Sequence, residues 1–97
     1  MFDIIDNSNE RVFILREDEL VHINLLEERV MEFARKDFRD VVVDLQNLAF
    51  IDSVTLSVFI RIKRKLSADG RIFILKNYNQ TILRIIELAG LDGFLLE

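Results

Sequence analysis

The sequence of 97 residues contains no cysteine, no proline and no tryptophan, and it has one histidine and three glycines. Without cysteine the chain can form no disulfide, no thiol nucleophile and no cysteine-ligated metal site. The single histidine, His22, excludes a metal site that takes two histidines from one chain. Three glycines are too few for a glycine-rich phosphate loop or a dinucleotide-binding fingerprint. We therefore expect no metal, no cofactor and no catalytic residue.

Charge and hydropathy exclude further classes of partner. The formal net charge is -4 at pH 7, which weighs against nucleic acid as a partner. The basic cluster from Arg61 to Lys65 lacks the interleaved aromatic residues of a nucleic-acid surface and is typical of a solvated helix face. No apolar run approaches the roughly 20 residues that span a bilayer, and the acidic N-terminus does not resemble a secretory signal. The sequence thus predicts a cytoplasmic protein that does not insert into a membrane.

The composition that remains is that of a globular protein. Of the 97 residues, 51% are hydrophobic and 31% are charged, and this length is typical of one domain. We predict a single domain over residues 1–97.

Glycines mark the ends of two predicted helices. Gly70 and Gly90 follow them, and glycine suits the left-handed conformation of a helix exit. Leu91 is then placed for the apolar contact of a Schellman motif.

Strand and helix patterns alternate along the chain. A turn of Asx and Ser residues joins two apolar segments into a predicted antiparallel hairpin. Two later apolar runs are typical of strands that are buried on both faces. Predicted strands cover residues 2–5, 12–15, 41–45, 71–75 and, as a short final strand, 94–96; predicted helices cover about 24–36, 53–67 and the segment after Asn79. The fold class is therefore α/β, a ββαβαβα arrangement with a mixed sheet flanked by helices and right-handed crossovers.

Polar residues before the helices predict how they begin. Asn24 is a good N-cap, and Glu27 follows at the spacing of a capping box. Asp52 and Ser53 are both preferred N-cap residues for the second helix, and Asn79 caps the third. Val54 and Val58 lie in the second helix, and the pattern leaves open whether they face the core or an interface.

The segment from Phe50 to Thr55 is the best candidate for a functional site. It connects a predicted parallel strand to the second helix, where sites in α/β proteins tend to lie. A helix N-terminus accommodates an anion, so a hydroxyl there is a plausible point of attachment for a phosphate. Ordinary helix capping by Asp52 and Ser53 is the alternative.

Other polar residues support no chemistry of their own. A serine nucleophile needs a base, and His22 is predicted to be a solvated loop residue with no evident partner. Asp44 and Asp52 could pair at the strand tips, but Asp44 is better explained as a residue that ends its strand and bonds to local backbone. We therefore predict that the protein is not an enzyme.

Three stretches of the sequence form a recognisable set: VVVDLQNLAFIDSVTLSVFIRIKRKL, DGRIFILKN and TILRIIELAGLDGFL. Together they resemble a STAS domain, most closely the bacterial anti-sigma-factor antagonists, and the resemblance covers residues 40–96 well. In that family the turn before the second helix usually reads D-S-S-G-L-G. Here the chain keeps Asp52, Ser53 and Leu56, whereas Val54 stands in place of the second serine and Thr55 and Ser57 in place of the two glycines.

The resemblance implies a phosphorylation-controlled binding switch. The serine after the aspartate, here Ser53, is the family's phosphate acceptor, and Thr55 is an alternative. The implied partner is an anti-sigma factor that is also a serine kinase of the histidine-kinase-like ATPase fold, and a phosphatase would reverse the reaction. Asp52, Ser53, Val54, Thr55 and Ser57 would form the contact surface.

Two other functions remain open at this point. One is a STAS scaffold or regulatory subunit of a larger assembly, of the stressosome type or on a membrane transporter, without a phospho-switch. The other is an enzyme or a nucleotide binder at the helix N-terminus, which no phosphate-cradling loop supports.

Overall fold

The computed structural model describes residues 2–96, so the predicted domain limits at residues 1 and 97 lie outside the described residues. One sheet holds four strands in the order β1-β2-β3-β4. They are β1 (Asp3–Asp6), β2 (Glu10–Arg16), β3 (Asp40–Asn47) and β4 (Phe73–Lys76). β1 and β2 are antiparallel, whereas β2, β3 and β4 run parallel to one another. The predicted hairpin and mixed sheet are confirmed.

The helices follow the predicted order. They are α1 (Asn24–Lys36), α2 (Ser53–Ala68), α3 (Gln80–Leu88) and α4 (Asp92–Leu95), and a 3₁₀-helix (Glu17–His22) precedes α1. The short final strand predicted at residues 94–96 is wrong, because this segment forms the single turn α4. The carbonyl of Leu91 accepts hydrogen bonds from the N–H groups of Phe94 and Leu95 at 3.1 and 2.7 Å, and this turn places Leu95 in the core.

The acidic segment after β2 is helical. Glu19 Oε1 accepts a hydrogen bond from the backbone N–H of Arg16 at 2.8 Å, and this bond fixes the start of the 3₁₀-helix. His22 is exposed as predicted, but it lies in the last turn of this helix rather than in a loop.

The predicted capping box at Asn24 and Glu27 is wrong. The N-cap of α1 is Ile23, which has helical backbone angles and no side-chain cap. The 3₁₀-helix runs directly into α1, and the carbonyl of Leu20 accepts from the N–H of Ile23 at 3.3 Å. Because the chain enters α1 already coiled, the extended N-cap conformation that a capping box needs does not occur.

Both predicted glycine exits are confirmed. Gly70 and Gly90 have φ of 70° and 72°, a region that residues with a Cβ rarely adopt. After Gly90, the N–H of Leu91 donates to the carbonyl of Ile86 at 3.0 Å. After Gly70, the N–H of Arg71 donates to the carbonyl of Leu66 at 2.7 Å. This is the backbone pattern of the Schellman motif at both helix ends.

The core lies between one face of the sheet and the helices. Phe13, Val43 and Leu75 occupy that face on β2, β3 and β4, and they belong to the same buried cluster as the inner faces of the helices. The other face of the sheet presents Val12, Val42 and Ile74, which lie outside this cluster. Burial of the inner faces packs the body of α2 over the parallel strands.

The basic cluster of α2 is partly neutralised by α1. Glu27 accepts from Arg61 Nε at 2.9 Å and from Lys65 Nζ at 2.5 Å. The pKa of Glu27 is lowered, because partial burial, which raises it, is outweighed by the hydrogen bonds from Lys65 and Arg61. These ion pairs join the exposed edges of the two helices.

A charged cluster at the start of β3 gives an expected pH dependence. Asp37 accepts hydrogen bonds from the side chain and the backbone of Arg39, and these lower its pKa from 3.8 to about 2. A lowered pKa stabilises the fold above the ordinary value and loses that effect as the pH falls through about 2. We expect the free energy of unfolding to fall less steeply between pH 4 and pH 2 in Asp37→Asn than in the wild type, measured by urea denaturation. Equal slopes would contradict this.

Candidate functional site

The site predicted from the sequence lies where the loop after β3 enters α2. Asp52 is the N-cap, and its Oδ1 accepts from the backbone N–H of Thr55 at 2.8 Å. The Asp52 carbonyl accepts from the N–H of Leu56 at 3.0 Å. The cap lowers the pKa of Asp52, chiefly through the backbone N–H of Thr55 and then through its side chain. Asp52 is thus a charged cap at neutral pH.

Ser53 is the first residue of α2 and is exposed. Two apolar neighbours are also open to solvent, since 51% of Phe50 and 52% of Val54 are exposed. Ile51, between them in the chain, is buried and anchors the loop to the core. The exposed residue Ser53 therefore lies in a segment with exposed apolar side chains before and after it in the sequence. Such a combination is available for contact with another protein.

Thr55, the alternative phosphate acceptor, is fully buried. Its hydroxyl has no hydrogen bond of good geometry to any partner among residues 2–96, although it lies close enough to Asp52 to favour the charged carboxylate. A kinase could reach this oxygen only if the first turn of α2 opened. The structure therefore favours Ser53 over Thr55 as an acceptor.

The buried hydroxyl of Thr55 also affects stability. An unsatisfied buried polar group costs about 1–3 kcal/mol, and valine has nearly the same shape without that group. We expect Thr55→Val to raise the free energy of unfolding by about 1 kcal/mol in urea denaturation. A loss of stability of similar size would show that the hydroxyl has a partner in solution.

Ser57 and Asp44, two further predicted residues, take different positions. Ser57 is exposed one turn after Ser53, and its hydroxyl donates to the carbonyl of Ser53 at 2.9 Å. Asp44 is buried and accepts from the N–H of Gln46 and from Asn77 Nδ2, both at 2.9 Å. The prediction that Asp44 bonds to local backbone is confirmed, but β3 continues past it to Asn47. Asp44 and Asp52 therefore have separate partners.

Two residues contact the loop at this site although the sequence does not predict it. Asn79 Nδ2 donates to the carbonyls of Leu48 and Ala49 at 3.2 and 3.0 Å. Glu17 Oε1 accepts from the N–H of Ala49 at 3.0 Å. The sequence predicts Asn79 only as the cap of α3. This role is confirmed, because Asn79 Oδ1 accepts a hydrogen bond from the N–H of Ile82 at 2.8 Å. Both residues are about 30 positions from the loop, and no local signal in the sequence connects them with it.

A strand, a capped helix start and an exposed serine in this order agree with the known family that the sequence resembles. A family model of the STAS domain matches residues 9–96. The chain belongs to the STAS domain family.

Relatives of this STAS chain have a more specific description. A candidate anti-sigma factor antagonist of Thermotoga maritima is 31% identical over 61 residues, and its homologue from Thermotoga neapolitana is 30% identical over 61 residues. Each match covers 63% of this chain and 54% of the relative. The chain thus spans about half the length of these relatives.

Solved structures share the fold of this STAS chain. The NMR structure of the Thermotoga maritima protein has a TM-score of 0.86 at 24% identity and covers 98% of this chain and 78% of its own. RsbS of Moorella thermoacetica, in a variant with one serine replaced by glutamate, gives a TM-score of 0.84 at 18% identity, with 98% and 83% covered. A structure of the stressosome gives 0.78 at 20% identity, with 97% and 84% covered. At these identities the likeness shows the α/β fold.

Within residues 2–96, no three His, Asp or Glu side chains are grouped so that they could hold a metal ion. None of the helices in the same range has the length and apolar character that a bilayer crossing requires.

Proposed function

We propose that this STAS domain, spanning residues 1–97, is a cytoplasmic anti-sigma-factor antagonist that acts as a phosphorylation-controlled binding switch. The unphosphorylated protein binds an anti-sigma factor that is also a serine kinase of the histidine-kinase-like ATPase fold. This binding frees the sigma factor. Phosphorylation of Ser53 blocks the binding, and a phosphatase restores it. The protein is a substrate and a ligand in this scheme, not an enzyme.

The exposure of Ser53 at the start of α2 is the observation that carries the proposal. This is the acceptor position that the family resemblance implies. Ser53 is an exposed residue, whereas Thr55 is fully buried. The relatives described as candidate anti-sigma factor antagonists support the same function.

The local electrostatics explain how one phosphate could control binding. A phosphoserine adds about -1.5 to -2 charges at pH 7. Asp52, the adjacent residue, is already ionised, and its carboxylate accepts a hydrogen bond from the N–H of Thr55 in the first turn of α2. The phosphate would therefore add negative charge to a surface that is already negative. Desolvating these adjacent charges when the complex forms would cost several kcal/mol, and each 1.4 kcal/mol or so lowers the affinity tenfold.

The apolar neighbours define the rest of the contact surface. Phe50 and Val54 project from the loop and from the first turn of α2, with about half of each exposed. Desolvating them in a complex would contribute favourable binding energy. With Asp52, Ser53 and Ser57 they form a surface in which a charged residue and hydroxyls lie among apolar side chains. A phosphate placed there would have to be desolvated with them.

Paired pull-downs from a lysate of the native host test this function. Wild-type protein and Ser53→Asp serve as baits, and captured proteins are identified by mass spectrometry. We expect the wild type to retain an ATPase-fold kinase that Ser53→Asp loses. If both baits hold a kinase equally, Ser53 is not the switch.

The same experiment tests a second function, a STAS subunit of a larger assembly without a phospho-switch. Val54, Thr55 and Ser57 stand where the family usually has a serine and two glycines, so the start of α2 is bulkier than usual. This feature favours a partner other than the usual kinase. A membrane or multi-subunit protein held equally by both baits would support this function.

A further inference from the structure

The loop between β3 and α2 is held by polar contacts from two other parts of the fold. Leu48 and Ile51 are buried and fix the loop from below, whereas Ala49 and Phe50 lie on the outside. Buried side chains alone leave the exposed part of a short loop free to rearrange. The orientation of Phe50 and of the first turn of α2 therefore depends on the contacts of Ala49 as well as on Ile51 and the Asp52 cap.

Asn79 holds this loop from the side of α3. Its Oδ1 accepts from the N–H of Ile82, and its Nδ2 donates to the carbonyls of Leu48 and Ala49. One amide side chain thus caps α3 and ties it to the loop. An aspartate at this position would keep the acceptor and lose the donor.

Glu17 holds the loop from the opposite side. Its Oε1 accepts from the N–H of Ala49, so both backbone polar groups of Ala49 are bonded to side chains from other elements. Glu17 begins the 3₁₀-helix after β2. A hydrogen bond to a charged acceptor is about twice as strong as one between neutral groups.

Asn79 is itself held in place from β3. The loop before it contains Asn77, whose φ of 58° is left-handed. Asn77 Nδ2 donates to the buried carboxylate of Asp44 at 2.9 Å. Hydrogen bonds therefore connect the end of β3 to the loop before α3, and that loop to the segment that starts α2.

We propose that Asn79 and Glu17 are positioning residues for Ser53 and Phe50. Together they fix Ala49 and thereby set the start of α2, so that the acceptor hydroxyl and the apolar side chain face the partner in one arrangement. This inference rests on the proposed function and adds the residues that orient its site. Small displacements of a reacting group can cost up to about a hundredfold in rate.

Three variants separate positioning from stability. Asn79→Asp removes the donor to the loop and keeps the cap of α3. Glu17→Ala removes the acceptor for Ala49, whereas Glu17→Gln keeps an acceptor oxygen and is the matched control. We expect melting temperatures within a few degrees of the wild type for all three.

Amide hydrogen exchange is the first measurement. In Asn79→Asp and Glu17→Ala we expect exchange at Ala49, Thr55 and Leu56 to be about tenfold faster than in the wild type. Thr55 and Leu56 bond to Asp52 and not to either replaced residue, so a change there reports the start of α2. In Glu17→Gln the exchange rates of these amides should remain within about twofold of those of the wild type. Unchanged exchange at Thr55 and Leu56 in both variants would overturn the inference.

The initial rate of Ser53 phosphorylation by the captured kinase with ATP is the second measurement. We expect it to fall about tenfold in Asn79→Asp and Glu17→Ala and to be retained in Glu17→Gln. Faster exchange with an unchanged phosphorylation rate would overturn the positioning role and leave the proposed function standing. A wild-type protein that is not phosphorylated would overturn the proposed function, and the role of both residues in it.

Discussion

Ser53→Asp is expected to weaken binding of the kinase partner by at least about tenfold, because the added charge has to be desolvated together with that of Asp52 when the interface forms. The melting temperature should stay within a few degrees, since Ser53 is exposed and the cap of α2 belongs to Asp52. Titration calorimetry with the captured partner measures the affinity, and a thermal melt measures the fold.

Ser8→Asp is the matched control for this variant. Ser8 is exposed in the turn between β1 and β2, which lies beside the start of β3, at the opposite end of the strands from the start of α2. Ser8→Asp adds the same charge as Ser53→Asp and should leave the affinity for the kinase partner at the wild-type value. If Ser53→Asp unfolds the domain, Ser53 is chiefly structural. If Ser53→Asp and Ser8→Asp bind the kinase partner with equal affinity, the switch does not operate through Ser53.

The second large effect comes from a pair of valines one helical turn apart. Val58 is fully buried, whereas 52% of Val54 is exposed. We expect Val58→Asp to cost about 4 kcal/mol or more, because it buries an unpaired charge. A small domain has only about 5–15 kcal/mol of stability. The cooperative thermal transition should therefore be lost or shifted far down, as followed by circular dichroism.

Val54→Asp adds the same charge on the outside of the same helix. Its stability should change by about 0.5 kcal/mol or less, because the site is exposed and lies in the first turn, where acidic side chains are favoured. Partner binding should fall about tenfold, since the variant removes apolar contact area and adds negative charge. Equal loss of stability in both variants would contradict the assignment of Val54 to a surface. Undiminished binding by Val54→Asp would remove this residue from the contact surface.

The pair also shows what the sequence could and could not predict. The hydrophobic pattern predicts both valines in one helix and leaves open whether each faces the core or an interface. Tertiary packing of α2 on the sheet decided between them. The glycine exits at Gly70 and Gly90 and the caps at Asp52 and Asn79 were predictable, since each depends on a few neighbouring residues.

The errors have the same physical origin. The local sequence predicts Asn24 as an N-cap, but the preceding 3₁₀-helix runs directly into α1 and Ile23 takes that position. The apolar residues 94–96 have strand character, yet a turn of helix buries Leu95 against the core. The contacts of Asn79 and Glu17 with the loop cross about 30 residues of sequence. Local patterns cannot predict contacts that depend on how distant elements pack.

The proposed switch depends on Ser53 as the phosphate acceptor. Incubation of the wild type, Ser53→Ala and Thr55→Val with the captured kinase and ATP, followed by peptide mass spectrometry, locates the phosphate. We expect one phosphate, on Ser53, in the wild type and in Thr55→Val, and none in Ser53→Ala. A phosphate on Thr55, or one retained in Ser53→Ala, would show that Ser53 is not the acceptor.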